Sequence, residues 1–129
     1  DLTDCIWIAA SRRSFPIAVY LDYALQHTDK RVCLMSALGN MHLGQMRSVR
    51  TGDVMLAISH SGETPELVAL LPHLRRLSTP VIAMTGNASS TLAQAAIDNA
   101  RDGDVLMCMG AGSIGTLPDR LVQALGEAA

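Results

Sequence analysis

Apolar residues gather in five short runs along the chain, and the segments between them show helical spacing. Each run is five or six residues long and rich in Val, Ile, Leu, Ala and Met, which is typical of strands in a parallel sheet buried on both faces. The predicted strands are residues 5–9, 31–35, 53–58, 80–84 and 104–109. The predicted helices are residues 15–26, 38–49, 66–77, 89–100 and 117–128.

This alternation of strands and helices predicts an α/β fold with three layers, in which helices cover both faces of a doubly wound parallel sheet. Five strands joined by right-handed crossovers favour the flavodoxin-like order 2-1-3-4-5. The chain of 129 residues, 49% of them hydrophobic, is predicted to form one domain over residues 1–129. Strands 1 and 3 are then neighbours, and the switch point between them is the expected ligand site.

The loop after strand 3 has the sequence Ser59-His60-Ser61-Gly62-Glu63-Thr64. Three hydroxyls, a glycine and the free amides of a helix start suit a dianion such as phosphate. Ser61 or Thr64 capping the next helix is the structural alternative, and one residue can do both. The loop after strand 1, with Ser11, Arg12, Arg13 and Ser14, is expected to face this loop and to form the other half of the site.

Composition and charge narrow the classes of partner. The net charge is −2 and only 3% of residues are aromatic, so neither a nucleic-acid surface nor a polybasic membrane patch is expected. No apolar run approaches the roughly 20 residues that cross a bilayer. Cys5, Cys33 and Cys108 each fall in a predicted strand and are odd in number, which favours free thiols in the core and a cytoplasmic location.

Two other groups of residues are candidate sites. Gly110, Gly112 and Gly115 satisfy G-x-G-x-x-G, but they follow the last strand, so no later strand supplies the acidic residue that binds a ribose. A tight turn is the expected role, and no cofactor is predicted. The histidines lack companion ligands at metal spacing, so no metal is expected; His60, in the loop after strand 3, is either an acid or base or a solvent-facing side chain. They are His27, His42, His60 and His73.

Two segments resemble the sugar isomerase (SIS) domain, a phosphosugar-binding family of isomerases and sugar-sensing regulators. The sequence IWIAASRRSFP at 6–16 makes residues 4–53 similar to the effector domain of RpiR-class regulators. The sequence ISHSGET at 58–64 makes residues 57–96 similar to arabinose 5-phosphate isomerase. The resemblance implies a phosphosugar site, for which we predict Ser14, Ser59, Ser61, Gly62, Thr64 and Arg13 as ligand-binding residues.

The sequence departs from the SIS pattern in the first loop. Ala10 and Arg12 stand where many SIS proteins have glycines that let the backbone approach the ligand. The guanidinium of Arg12 or Arg13 could compensate by pairing with phosphate, and solvated surface arginine is the alternative for one of the two. His42 lies near a functional histidine of the isomerases, but its spacing to the next strand differs, so no role is assigned to it.

The last segment, about residues 98–129, resembles a third family. The sequence DGDVLMCMGAGSIG at 102–115 is similar to the end of UDP-N-acetylmuramate:alanine ligase. Three resemblances in succession lead to the hypothesis of an engineered chimera of α/β fragments, with a truncated natural hybrid as the alternative.

Only one of the elements that an aldose-ketose isomerase needs, the phosphate-binding loop, is visible in the sequence. We therefore rank a non-catalytic assembled domain first, a natural phosphosugar-binding regulatory domain second and a sugar-phosphate isomerase third. Phosphate or a sugar phosphate is the expected small-molecule partner. The flat apolar run at 105–109 carries no charge to discourage association, so a homodimer through this edge is also expected.

Overall fold

The computed structural model describes residues 4–60 and 64–86, together with Gln94, Asp98 and Gln123, which are helical. The central residues of the predicted phosphate loop, Ser61 and Gly62, lie outside the described residues. So do the predicted fifth strand at 104–109, with Cys108 and the proposed dimer edge, and the loop that contains Gly110, Gly112 and Gly115.

The described strands form one parallel sheet and confirm the α/β class. The strands are β1 (Cys5–Ala10), β2 (Arg31–Met35), β3 (Val54–Ser59) and β4 (Val81–Thr85). Their order is β2-β1-β3-β4, as predicted for these four. Ala10 pairs with Ile58, so β1 and β3 end side by side and the switch point lies between them.

The first helix was predicted well, and the next two were not. Helix α1 (Phe15–Leu25) covers the expected segment. The predicted helix at 38–49 contains only one turn of α-helix, α2 (His42–Gln45), between the 3₁₀ turns Leu38–Asn40 and Met46–Ser48. Ala37, Gly39 and Asn40 have φ of 53°, 65° and 63°, and this left-handed backbone interrupts a regular helix.

The predicted helix at 66–77 is also broken, into α3 (Pro65–Val68) and α4 (Leu71–Arg76). Pro72 has no N–H with which to continue the hydrogen-bond ladder from the preceding turn. The amide of Leu70 instead bonds to the carbonyl of Leu67. Pro72 therefore breaks the helix, and the spacing of the apolar residues gives no indication of this break.

Apolar side chains fill both faces of the sheet. Ile8, Ala10 and Ile58 pack with Ala18 of α1 on one face. The other face is larger and contains Met35 and Met55 beneath the segments after β2 and β3, where Leu67, Leu70 and Leu74 are fully buried. Adjacent strand residues point to opposite faces, and both faces are covered. Residues on both faces are therefore buried, which is why the strand sequences are unbroken apolar runs.

The amino-terminal edge of the sheet contains paired polar groups. The buried Asp53 carboxylate accepts hydrogen bonds from Trp7 Nε1 at 3.0 Å and from the Arg50 amide at 2.8 Å. Cys5 and Cys33 are free, and Cys5 Sγ donates to Cys33 Sγ at 3.3 Å. Burial raises the pKa of the Cys5 thiol to about 12, which fits its predicted role as a small core residue.

Among the described residues, no helix has both the length and the apolar character needed to span a membrane.

Candidate functional site

The loops that follow β1 and β3 meet at the switch point, as the predicted strand order requires. The amide of His60, directly after β3, donates a hydrogen bond to Ser14 Oγ at 3.1 Å. Ser14 is buried where the 3₁₀ turn Arg12–Ser14 leads into α1. The contact joins residues 46 positions apart and brings the two predicted halves of the site together.

Ser59 and Thr64 lie at the two ends of the loop after β3, and their hydroxyls contact each other. Ser59 Oγ and Thr64 Oγ1 are 2.6 Å apart, both residues are buried, and either hydroxyl can be the donor. Thr64 occupies the N-cap position of α3 without making a side-chain cap, so the capping alternative is wrong for this residue. The bond instead brings two predicted phosphate ligands together.

The expectation of free amides at the start of the next helix is wrong. Helix α3 is four residues long and begins at Pro65, which has no N–H. The amides of Leu67 and Val68 bond to the carbonyl of Thr64. The amide of Glu66 bonds to its own carboxylate, and this is the main reason why the pKa of Glu66 is lowered. Hydroxyl groups, rather than helix amides, are therefore the donors that the described part of this loop offers.

Gly86, at the end of β4, supports the same loop and was missed in the sequence. Its amide bonds to the His60 carbonyl at 3.3 Å. A β-carbon at this position would lie 2.9 Å from that carbonyl and 3.1 Å from Nδ1 of the exposed His60 ring. Only glycine lets the two backbones approach this closely. A glycine directly after a predicted strand was the available signal, but its partner could not be identified without the fold.

Arg12 occupies a strained position in the first loop. Its φ is 54°, in the left-handed region that glycine adopts readily and that is unfavourable for arginine. Arg12 Nη2 lies 3.5 Å from Glu66 Oε1, with 72% and 30% of the two side chains exposed. Arg13, the predicted phosphate ligand, is exposed, and it is Arg12 that forms the ion pair across the two loops.

His42 lies at the same edge of the sheet, on α2, and is 7% exposed. Burial lowers the pKa of its imidazole, and the nearby Glu66 carboxylate opposes part of that shift. A neutral imidazole, with one donor and one acceptor nitrogen, is the favoured form. Within the described ranges, no three His, Cys, Asp or Glu residues are grouped so that they could hold a metal ion.

Comparison with known protein families identifies the family to which this fold belongs. The SIS domain family model matches residues 4–116, so the chain belongs to the SIS domain family.

Among curated relatives, arabinose 5-phosphate isomerase KdsD of Pseudomonas aeruginosa is 51% identical over 53 residues, which cover 41% of this chain and 16% of that protein. UDP-N-acetylmuramate–L-alanine ligase of Variovorax paradoxus is 35% identical over 127 residues, covering 94% of this chain and 25% of that protein. The chain thus spans a quarter or less of the length of these relatives.

Solved structures support the fold. The c3406 protein of Escherichia coli CFT073, in complex with arabinose 5-phosphate, superposes with a TM-score of 0.57 at 26% identity, covering 97% of this chain and 65% of that one. The NanR protein of Vibrio vulnificus, complexed with ManNAc-6P, gives a TM-score of 0.67 at 21% identity, covering 98% of this chain and 50% of that one.

These comparisons overturn the hypothesis of an engineered chimera. The SIS match runs without interruption across both supposed junctions, near residues 53–57 and 96–98. The ligase similarity extends over 94% of the chain and is not confined to its last quarter. The relatives are natural isomerases and regulators. The successive resemblances therefore do not mark joined fragments.

Proposed function

We propose that this chain is a natural phosphosugar-binding domain that binds the phosphate of its ligand between the loops after β1 and β3. The observation that carries the proposal is the buried pair of hydroxyls from Ser59 and Thr64 beside the contact between Ser14 and His60. Three hydroxyl-bearing side chains from two loops thus surround the switch point of the sheet, where ligands of doubly wound folds bind.

The comparisons support this proposal through what related proteins bind. The c3406 protein was solved with arabinose 5-phosphate, and NanR with ManNAc-6P, and both share this fold. The segment most similar to KdsD includes 53 residues at 51% identity. A sugar phosphate is therefore the class of ligand that the family membership favours.

In the proposed complex, the hydroxyls of Ser59 and Thr64 turn from each other towards the phosphate oxygens. Each hydroxyl can rotate, so the pair can provide two donors in place of one shared hydrogen bond. Ser61 and Gly62 continue the same loop, and Arg13 adds positive charge from the first loop. Hydrogen bonds to a charged group contribute more than neutral ones, about 1.5–3 kcal/mol each.

Binding is tested by titrating the protein calorimetrically with arabinose 5-phosphate, with ManNAc-6P and with inorganic phosphate at constant ionic strength. Ser59→Ala and Thr64→Val are expected to weaken binding of the sugar phosphates by roughly 10- to 100-fold, the equivalent of one charged hydrogen bond. Thr79→Val is the matched control, because Thr79 is a buried threonine with an unpaired hydroxyl just before β4, at the opposite edge of the sheet.

Thermal unfolding gives an independent measurement. A ligand present at 100 times its dissociation constant should stabilise the folded protein by about 2.7 kcal/mol. No stabilisation by either sugar phosphate would contradict the proposal, as would equal losses of affinity in Thr79→Val. Exchange of the C2 proton of arabinose 5-phosphate in D₂O, measured by NMR, reports isomerase activity separately from binding.

A further inference from the structure

The thiols of Cys5 and Cys33 form a close pair at the opposite end of β1 from the proposed phosphate site. Cys5 begins β1, Cys33 lies in the middle of β2, and their sulfur atoms are 3.3 Å apart. Both cysteines are free. A buried cysteine is usually only a small apolar residue, but two thiols in contact can also be joined by oxidation.

The two thiols differ in their access to solvent. Cys5 is 3% exposed, whereas Cys33 is only partly buried. Burial raises the pKa of the Cys5 thiol to about 12; the hydrogen bond with Cys33 and the charge of Asp53 add to the increase, and Arg31 opposes it. Cys5 is therefore a protonated thiol at neutral pH, and the thiolate is the reactive form of cysteine. A small oxidant accordingly reacts with Cys33 first.

The strand register determines how a bond between the two sulfur atoms would fit. Cys5 pairs with Arg31 and Cys33 pairs with Trp7, so the cysteines are offset along the strands by two positions. Strand spacing of about 4.8 Å and a rise of about 3.3 Å per residue then place their α-carbons roughly 8 Å apart. A relaxed disulfide spans at most about 7 Å, so the strands must move by about 1 Å. Among the described strands, β2 lies at the end of the sheet and pairs with β1 alone, which permits this movement.

We propose that Cys5 and Cys33 are a redox-sensitive pair, which hydrogen peroxide converts into an intramolecular disulfide that small thiols readily reduce. The strand movement that the bond requires leaves it strained, and strained disulfides are the easily reduced ones. This modification site goes beyond the proposed function and does not depend on it.

The oxidation proceeds in two steps. The Cys33 sulfur, having lost its proton, attacks one peroxide oxygen; an S–O bond forms, the O–O bond breaks, and hydroxide leaves and takes up a proton to become water. Cys33 is then a sulfenic acid. The Cys5 sulfur attacks the Cys33 sulfur, so that the S–S bond forms, the S–O bond breaks, and the departing hydroxide leaves as water with the Cys5 proton. In total, two thiols give two electrons to one peroxide and yield a disulfide and two waters.

The test treats the full chain with one equivalent of hydrogen peroxide, blocks the remaining thiols by alkylation and digests the protein with trypsin without reduction. Cleavage after lysine and arginine places Cys5, Cys33 and Cys108 in separate peptides, residues 1–12, 32–47 and 102–120. In mass spectra of the folded protein, the link between peptides 1–12 and 32–47 should be at least tenfold more abundant than the other two pairings together. In urea this excess should fall to about threefold, the preference expected from loop length alone.

Three variants test the separate roles of the thiols. Cys108→Ser is the matched control, because it removes a cysteine and leaves the pair intact; it should form the same link at the wild-type rate. In this background, Cys5→Ser should stop at the sulfenic acid of Cys33, which dimedone labels. Cys33→Ser should consume peroxide at least tenfold more slowly than the control. Millimolar reduced glutathione should restore both thiols of the folded, oxidised control.

Several outcomes would overturn the proposal. One is a link between peptides 1–12 and 32–47 that is no more favoured in the folded chain than in urea, and another is disulfide formation only between different chains. Dimedone labelling of Cys5 in Cys33→Ser as fast as labelling of Cys33 in Cys5→Ser would contradict the order of the steps. A folded disulfide that resists millimolar glutathione would contradict its strain. The comparison of folded and unfolded wild type uses no variant, so it stays decisive if a serine variant does not fold.

Discussion

Among the described residues, the two edges of the sheet differ in how many side chains have buried polar atoms without partners: Thr79 alone near the amino-terminal edge, and three at the carboxyl-terminal edge. At the amino-terminal edge, Asp53 accepts hydrogen bonds from Trp7 and Arg50, and two thiols contact each other. At the carboxyl-terminal edge, Ser11, His42 and Glu66 keep buried polar atoms without partners. A paired buried group stabilises the fold, whereas an unpaired one is destabilising. The difference separates the edge that maintains the structure from the edge available to a ligand.

The largest effect is expected at the amino-terminal edge. Asp53→Ala removes the acceptor of two hydrogen bonds and leaves the Trp7 indole N–H without its partner. The free energy of unfolding, measured with urea, should fall by about 2–4 kcal/mol. Affinity for sugar phosphates should remain within about twofold of wild type, because Asp53 lies at the opposite edge of the sheet from the proposed binding site.

Asp29→Ala is the control for this change, because Asp29 is exposed. It should alter the free energy of unfolding by less than about 0.5 kcal/mol. A tenfold loss of ligand affinity in folded Asp53→Ala would show that the two edges are not independent.

An intermediate effect is expected at Gly86. The β-carbon of Gly86→Ala would meet the His60 carbonyl at 2.9 Å and displace the loop between Ser59 and Thr64. Sugar-phosphate affinity should fall about tenfold, equivalent to about 1.4 kcal/mol, and calorimetric titration measures the change.

Gly44→Ala provides the matched control for Gly86→Ala. Its β-carbon would meet Met41 Cε at 2.7 Å, but that methyl group ends a flexible side chain that can rotate away. Binding should be unchanged, since the atoms nearest to this β-carbon belong to the Met41 side chain. If both alanine variants bound sugar phosphate as tightly as wild type, Gly86 would have no part in positioning the loop.

The smallest effect is expected at Arg12. Arg12→Gly relieves the left-handed backbone, worth about 1 kcal/mol, and removes a largely exposed ion pair that contributes little to stability. The free energy of unfolding should therefore stay the same or rise slightly. The pKa of the Glu66 carboxyl should rise towards its ordinary value, and NMR titration can follow it.

Arg13→Gly separates backbone strain from the loss of an arginine. Arg13 is exposed and its φ is not positive, so glycine relieves nothing there and adds flexibility to the unfolded chain. Its free energy of unfolding should fall by up to about 1 kcal/mol. Equal destabilisation of the two variants would show that the strain at Arg12 has no energetic consequence.

Sequence patterns predicted the described strands to within one residue at each end, because buried parallel strands appear as uninterrupted apolar runs. They failed for the segment after β2, where left-handed residues interrupt the helix, and near Pro72, where one missing amide does so. Apolar spacing carries no information on either effect. The strand order was predictable because handedness leaves few topologies for alternating strands and helices.

The candidate site was predictable only in part. Ser14, Ser59 and Thr64 were predicted from the resemblance to the SIS domain and from their positions in the loops that follow two adjacent strands. Gly86 and Glu66 were missed, since their importance depends on contacts with residues 26 and 54 positions away. The binding roles of Ser61, Gly62 and Arg13 stay predictions.

The sequence by itself determined the α/β class, the order of the described strands and the edge at which hydroxyl groups collect. These follow from local periodicity and chain handedness, which act over a few residues at a time. Only the tertiary structure decided that Ser14 supports His60, that Thr64 contacts Ser59 instead of capping a helix, and that Arg12 pairs with Glu66. Such choices depend on which loops the folded sheet brings together and on which buried groups then find partners.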